Sequence, residues 1–353
     1  MNLPRKTKEA EIQSILLKWY KINKRELPWR SLEDNNLPTS YYIFISEYML
    51  QQTTVGTVKK RFEEFVQKWP SLNALALISN SSILSFWSGL GYYSRATNLL
   101  KAAKEIKKHF NSEIPDTYEE LITLPGVGDY TAKAILGIAY NQPTMPLDAN
   151  IERILARIYG LQEPIKKIKK DLQLKSLLFI SKKHSTKLIQ AFMDYGSIIC
   201  KPRNPDCRNC AINTYCVSFK KNLQHIIPVK IKKTNQKRKK YSRAYILYNE
   251  RDEILVRKRK AKGMLASMLE VPNDQWIANK KNLIEDKIID KIKNKMIFKD
   301  TVQYSFSHFD LEIDVYYIKM KKNYFNNHQW IKKINIYKSS LPTVMKKIVE
   351  AAF

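Results

Sequence analysis

The sequence predicts two domains of different class: a mostly α-helical domain over residues 1–220 and a smaller α+β domain over 244–353, joined by a basic linker at 221–243. Three observations carry this. Apolar residues recur at helical spacing through the first part of the chain. Residues 220–243 then carry ten Lys or Arg and no Asp or Glu, with Pro228 inside, a composition that fits a solvated tether or a segment in direct contact with phosphate. Beyond that run, short β-type segments replace the helical pattern.

In the first domain, Ile12, Ile15, Leu16 and Trp19 fall on one helical face. Thr117-Tyr118-Glu119-Glu120 fits a capping box opening a short helix. Ile151, Ile154, Leu155 and Ile158 repeat the helical spacing, with Gly160 placed as a C-cap. In the second domain, Tyr245–Tyr248 and Ile254–Val256 flank a polar turn and predict a hairpin. Ile313–Ile318 predicts another strand, and Pro342–Ala352 a final helix.

The length of 353 residues suits two cores, and 44% apolar content with 13 Phe, 20 Tyr and 6 Trp can fill them. The net charge is +29, from 62 Lys and Arg against 33 Asp and Glu. Such an excess points to a polyanionic partner, nucleic acid first, although a general Lys bias would raise it too. No run is long and apolar enough to span a bilayer, and the first residues lack a signal-peptide pattern. The expected setting is therefore cytoplasmic and reducing, with no membrane partner.

All four cysteines fall in one short stretch, spaced Cys200-x6-Cys207-x2-Cys210-x5-Cys216. Clustered thiols in a reducing compartment suggest metal binding. Zinc competes, but structural zinc sites usually use two close ligand pairs, and only one is present. Irregular spacing suits a [4Fe–4S] cluster better. Lys201 and Arg203, in the first cysteine loop, are placed either to face phosphate or as ordinary surface charge. Upstream, Leu124-Pro125-Gly126-Val127-Gly128 separates two predicted helices. Gly126 and Gly128 let the backbone turn tightly and bring free N–H groups to a phosphate at the start of the helix near Asp129. That turn alone is a weak signal, and the cysteines strengthen it.

Together these segments resemble the endonuclease III superfamily, and closely the adenine DNA glycosylases of the MutY type. The resemblance rests on Leu27-Pro28-Trp29-Arg30, Ser46-Glu47-Tyr48-Met49-Leu50-Gln51-Gln52-Thr53, Gly89-Leu90-Gly91-Tyr92-Tyr93-Ser94-Arg95, Leu147-Asp148-Ala149-Asn150, the glycine turn and the cysteines. It covers nearly all of residues 15–220. It implies a helix-hairpin-helix DNA glycosylase fold (hairpin at 117–140, cluster loop at 200–216) followed by a MutT-like, Nudix-fold domain. The implied activity is monomeric base-excision repair: hydrolysis of the N-glycosidic bond of adenine mispaired with 8-oxoguanine or guanine in double-stranded DNA.

Glu47 lies in a run that is apolar almost all round. Burial disfavours its ionised form, as an acid used near neutral pH requires. Composition alone would favour the ordinary reading, a Glu at the helix edge paired with one of many lysines, and the resemblance reverses that. The resemblance implies that Glu47 protonates the adenine and then helps activate water. Asp148 stands where an N-cap belongs, and the resemblance adds a second role, stabilising an oxocarbenium-like sugar. Tyr130 occupies the position where bifunctional relatives carry a Schiff-base lysine, which implies a glycosylase without strong strand cleavage. Lys133, one turn on, is the alternative amine.

By resemblance, Gln52 and Tyr92 enter the base stack, while Arg30, Asn150 and Gln190 line the pocket for the extruded adenine. Taken alone, Tyr92 and Gln190 would read as ordinary packing or surface residues. In the second domain, Phe306-Ser307-His308 matches the loop that senses 8-oxoguanine, with Ser307 and His308 as its contacts. Two departures stand beside it: Met268-Leu269 where an aromatic is expected before Glu270, and Phe309-Asp310-Leu311 after the histidine. The glutamate-rich Nudix helix motif is missing, so a reader is expected rather than a nucleotide hydrolase. The remaining alternatives are a bifunctional pyrimidine glycosylase and a non-catalytic DNA-binding iron–sulfur protein.

Overall fold

The computed structural model describes residues 7–30, 39–231, 237–260, 263–283, 292, 295–320 and 329–353. In chain order its elements are α1 (Lys8–Asn23), α2 (Ser40–Leu50), α3 (Val55–Lys68), α4 (Leu72–Ala76), α5 (Asn80–Phe86), α6 (Ser94–His109), α7 (Tyr118–Leu121), α8 (Asp129–Ala139), α9 (Ala149–Tyr159), α10 (Lys169–Leu177), α11 (Ser185–Ile198) and α12 (Val217–Lys220). Strands β1 (Arg238–Asn249), β2 (Glu253–Lys258), β3 (Leu269–Glu270), β4 (Ile297–Ser305), β5 (Phe309–Met320) and β6 (Gln329–Lys332) follow, then α13 (Thr343–Glu350). Contacts divide them into two compact units, Met1–Leu77 with Asn98–Lys233, and Ile78–Thr97 with Thr234–Phe353.

The first unit is helical, and its chemistry explains where helices begin and end. Thr117 caps α7, its hydroxyl accepting from the Glu120 N–H at 3.3 Å and donating to the Glu120 carboxylate at 2.6 Å. Asp148 caps α9, and Gly160 closes it with φ +66°. Helix α2 is apolar on every side and buries Tyr41 and each residue from Ile43 to Met49. A helix of that kind must be surrounded rather than laid on a surface. Among the described residues no helix is long and apolar enough to cross a membrane.

The second unit holds a mixed sheet in the order β3-β2-β1-β5-β4, with β6 also paired to β2. Strands β1 and β5 run parallel from Arg238 opposite Phe309 to Asn249 opposite Met320. Alternation along the strands gives each face its own core. Ala244, Ile246, Leu311 and Ile313 pack with Val344, Met345 and Ile348 of α13, and Tyr245, Leu247, Leu255 and Ile318 form the other cluster.

Two boundaries differ from the sequence reading. Strand β1 begins at Arg238, inside the stretch read as linker, because the parallel ladder with β5 satisfies its backbone however basic its side chains are. At the other end of that stretch, Ile227 is buried and its carbonyl accepts from Arg157 at 2.8 Å. The linker residues 232–236 lie outside the described residues. Residues 78–97, read as part of the helical domain, group with the second unit. There Ser85 donates to the Lys338 carbonyl at 2.6 Å and Lys346 to Ser88 at 2.8 Å.

Candidate active site

A cleft of about 660 Å³ opens in the helical unit, and seven of the predicted residues line it: Glu47, Asp148, Tyr130, Arg30, Gln52, Asn150 and Gln190. They come from α2 and the turn after it, α8, α9 and its N-cap, α11 and the Pro28–Arg30 turn, so only the tertiary fold brings them together. The hairpin places α8. Gly126 takes φ +85°, and a Cβ there would stand 2.9 Å from Asn98 Cβ and 3.0 Å from the Tyr48 ring. Tyr48, next to Glu47, donates to the Pro125 carbonyl, and Gln51 to the Gly126 carbonyl. The helix carrying the acid is thus fastened to the turn before α8, and Gly128 caps α8 one residue before Asp129.

Glu47 is 5% exposed. Burial pushes its carboxyl up to about 8; a hydrogen bond with Tyr130 works against that rise and the nearby Asp148 charge adds to it. Tyr130, in the first turn of α8, is itself pushed well up by burial and by the two carboxylates, so its hydroxyl stays protonated. Asp148 is partly buried. Its pKa is raised: burial outweighs the hydrogen bonds from Ile151 and Asn150 and the charge of Arg153, which all act to lower it. Both bonds are 2.7 Å long, one from the Ile151 N–H and one from Asn150 Nδ2. Asp148 therefore caps α9 and faces Glu47 at once.

Sequence reasoning missed the groups behind these residues. Arg153 donates to Asn150 Oδ1 (2.9 Å), the Gly196 carbonyl (2.7 Å) and the Cys200 carbonyl (2.8 Å). Asn150 thus bridges Arg153 to Asp148. Gly196 permits this approach, since a Cβ there would lie 2.6 Å from Asn150 Cβ. Beside Arg30, Asp194 is fully buried and holds it through two bonds of 2.8 and 2.9 Å. It also takes Arg25 through Nε at 2.7 Å and its backbone N–H at 2.9 Å. Burial alone would raise its pKa; the two guanidiniums outweigh it and hold the carboxyl below its usual range. Gln190 is oriented by Tyr20, which donates to Oε1 at 3.1 Å, and by its own Nε2 bond to the Thr186 carbonyl. A charged residue inside the apolar run around Asp194 was the available signal.

Lys133 does not line the cleft; it pairs with Asp129 at 2.8 Å. The remaining predicted residues lie outside the cleft. Gly126 and Gly128 form the hairpin turn, while Tyr92, Ser307 and His308 belong to the second unit. Ser307 and His308 are exposed in the tight turn between β4 and β5, closed by a Phe306 N–H bond to the Phe309 carbonyl at 2.9 Å. The Tyr92 and Ser307 hydroxyls meet at 2.6 Å. Gln52 and Tyr92 both hold positive φ, +56° and +46°, which side chains seldom adopt and which gathers at working sites.

Cys200, Cys207, Cys210 and Cys216 line one hollow with Ile154, Ile158 and Ile212. Arg157 donates to Cys200 Sγ and Tyr195 to Cys210 Sγ, each at 3.3 Å. Donors aimed at sulfur suit thiolates that hold a metal centre. Among the described residues no group of three or more His, Cys, Asp or Glu side chains is drawn together around a single ion. Four thiols lining one hollow are a donor set suited to a metal centre.

Residues 45–178 match the family of HhH-GPD superfamily base excision DNA repair proteins, and residues 243–351 match the NUDIX domain. The adenine DNA glycosylase of Buchnera aphidicola subsp. Schizaphis graminum (strain Sg) is 35% identical over 346 residues, 95% of this chain and 97% of that protein. That of Buchnera aphidicola subsp. Baizongia pistaciae (strain Bp) is 33% identical over 359 residues, 95% and 94% of the two. The solved structure of a thermostable thymine-DNA glycosylase is similar with a TM-score of 0.54 at 26% identity, over 61% of this chain and 97% of its own. The chain belongs to the adenine DNA glycosylase family, within the helix-hairpin-helix superfamily of base-excision repair enzymes.

Proposed function

We propose that this enzyme hydrolyses the N-glycosidic bond of adenine mispaired with 8-oxoguanine or guanine in duplex DNA, without forming a Schiff base. The observation that carries the reading is Glu47. It is a carboxyl pushed up to about 8, in one cleft with the hydrogen-bonded carboxylate of Asp148. Glu47 gives its proton to a ring nitrogen of the extruded adenine. The C1′–N9 electron pair leaves with the base, and the oxocarbenium charge is met by Asp148. Glu47, now a carboxylate, takes a proton from the water that adds to C1′. Free adenine and an abasic site result. Tyr130 donates to Glu47 and keeps it oriented between these steps. Arg30 and Gln190, each fixed by its partners, are assigned to the edge of the adenine, and Asn150 to orienting Asp148.

The four cysteines are assigned to one [4Fe–4S] cluster, which when bound would cross-link the Cys200–Cys216 loop. Arg157 and Tyr195 would steady two of its thiolates. The purified protein should carry about four irons and absorb in the visible as iron–sulfur proteins do. An active, colourless protein with one zinc would overturn this assignment.

The test of the activity is a set of duplexes with A opposite 8-oxoguanine, A opposite G and A opposite T. Strand breaks at the first two should appear after alkali, and few without it. Abundant breaks without alkali, or borohydride trapping of protein on DNA, would point to an amine nucleophile. The pairing of Lys133 with Asp129 outside the cleft lining disfavours that outcome.

A further inference from the structure

The turn that presents Tyr92 is held from beneath by a buried cation. Gly89 and Gly91 have φ of +94° and +69°, and Tyr92 follows at +46°. Its ring is 43% exposed, large for an aromatic side chain. Beneath it Arg95 is 6% exposed. The Arg95 Nη2 donates to the Leu90 carbonyl at 2.9 Å and the Gly91 carbonyl at 3.1 Å. Its guanidinium carbon lies 5.4 Å from the Trp87 ring centroid and 5.8 Å from that of Tyr92, within cation–π range. Trp87, fully buried, donates Nε1–H to the same Gly91 carbonyl at 3.2 Å. The Arg95 N–H closes the turn on the Tyr92 carbonyl at 2.9 Å. Strained backbone persists only where its surroundings over-determine it, and here two buried side chains, Arg95 and Trp87, hold three successive residues, Leu90 to Tyr92.

We propose that Arg95, braced by Trp87, is a positioning residue that holds Tyr92 in its strained, outward conformation so that the ring is preset to enter the DNA base stack. The inference rests on the reading of Tyr92 as the group that enters the stack. Its physical content is preorganisation: a ring already set spends less free energy on ordering when it meets DNA. Arginine is needed because a planar fork can donate to two carbonyls while stacking on rings. A lysine ammonium is a point charge on a flexible stem and cannot do both.

The experiment uses the full-length protein and a duplex carrying A opposite G, with 2-aminopurine beside the guanine. Its fluorescence rises when that base loses its stacking partner. Stopped-flow mixing is expected to show a full rise for the wild type and a reduced one for Tyr92→Leu. Arg95→Leu should match Tyr92→Leu, with adenine release slowed roughly tenfold in each, the scale of one base–aromatic stack. The Tyr92→Leu, Arg95→Leu double variant should be no worse than Tyr92→Leu alone, since Arg95 then has nothing to position. Trp87→Phe keeps a ring and removes the Nε1–H donor, and Arg95→Lys keeps the charge. Both should shift the rise in the same direction by less, which keeps the test decisive if Arg95→Leu fails to fold. A normal fluorescence rise in the Arg95 variants overturns the proposal, as do losses that multiply in the double variant. A normal Tyr92→Leu protein instead removes the reading of Tyr92 itself.

Discussion

Two carboxyl groups, one lining the cleft and one paired with the cleft residues Arg25 and Arg30, are buried almost equally and behave in opposite ways. Glu47 on α2 is 5% exposed and Asp194 on α11 is fully buried. Each sits in an apolar helix. Glu47 meets a tyrosine hydroxyl and another carboxylate, and burial drives it up to about 8. Asp194 meets two guanidiniums, which overcome burial and hold it below its usual range. Burial alone therefore does not decide what a carboxyl does. The charge it faces leaves Glu47 a carboxyl that holds its proton near neutral pH and makes Asp194 a clamp for Arg25 and Arg30.

The largest test of this contrast is Glu47→Gln. It keeps the shape and removes the proton, so single-turnover adenine release should fall by roughly 10²–10⁴-fold. The fold should not suffer, because the variant loses a carboxyl whose ionised form burial opposes. Base release and thermal unfolding measured on the same preparation check both halves. A loss of less than tenfold would make Glu47 structural and end the comparison.

Asp194→Asn should divide the other way. Removing one partner of a buried ion pair leaves cations without their counter-charge, at a cost on the order of 3 kcal/mol. Denaturant unfolding should show that loss. Adenine release by the folded protein should fall by less than in Glu47→Gln, and recognition of the base more than the chemistry. Wild-type stability in this variant would mean that Arg25 and Arg30 find equal partners elsewhere.

The contrast also shows what could be read in advance. The burial of Glu47 was legible because its neighbours in sequence are apolar, but singling it out over a helix-edge Glu took the resemblance. Asp148 was legible as a cap because capping is a matter of three residues. The Phe306–His308 turn came from the resemblance, and β4 before it was not read from the sequence at all. The clamp was not, since Asp194 and Arg30 lie 164 residues apart and nothing local links them. The Glu47–Tyr130 bond was hidden in the same way. Resemblance supplied the positions of Arg30 and Gln190, but Tyr20, Arg25 and Arg153, which hold the pocket, emerged only from the packing. The start of β1 was misread because a lysine-rich edge looks like a tether until its ladder partner β5 is known.

The dependence on pH sharpens the comparison with a smaller effect. Adenine release should fall as pH rises through about 8, where Glu47 loses its proton, by about tenfold per pH unit in the limit. Stability carries both signs. Glu47 has a folded pKa above its unfolded 4.5, so the folded state binds the extra proton, and stability present below 4.5 is lost as pH rises through 8. Asp194 has a folded pKa below its unfolded 3.8, so its contribution is present above 3.8 and lost as pH falls through the folded value. Glu47→Gln should flatten the alkaline limb of an unfolding profile, and Asp194→Asn the acid limb. Were each variant to change the other's limb, the assignment of the two groups would be reversed.

The smallest effect belongs to a third kind of site, where nothing is buried. Ser307 and His308 are exposed on the turn between β4 and β5, and no packed core depends on them. Ser307 is positioned by its bond to Tyr92. 8-Oxoguanine in its syn form presents an N7–H donor where guanine has an acceptor, and a serine hydroxyl can accept from it. A lost base contact is worth roughly 1–3 kcal/mol. The Ser307→Ala, His308→Ala variant should therefore narrow the preference for A opposite 8-oxoguanine over A opposite G by about tenfold. Its melting temperature and its alkaline rate limb should stay those of the wild type, because no buried ionisable group is touched. Competition between the two duplexes at fixed salt measures the ratio without depending on the fraction of active enzyme. An unchanged ratio would take lesion reading away from this turn, and the departures at Met268 and Phe309 would then mark where the second unit differs from its relatives in use as well as in sequence.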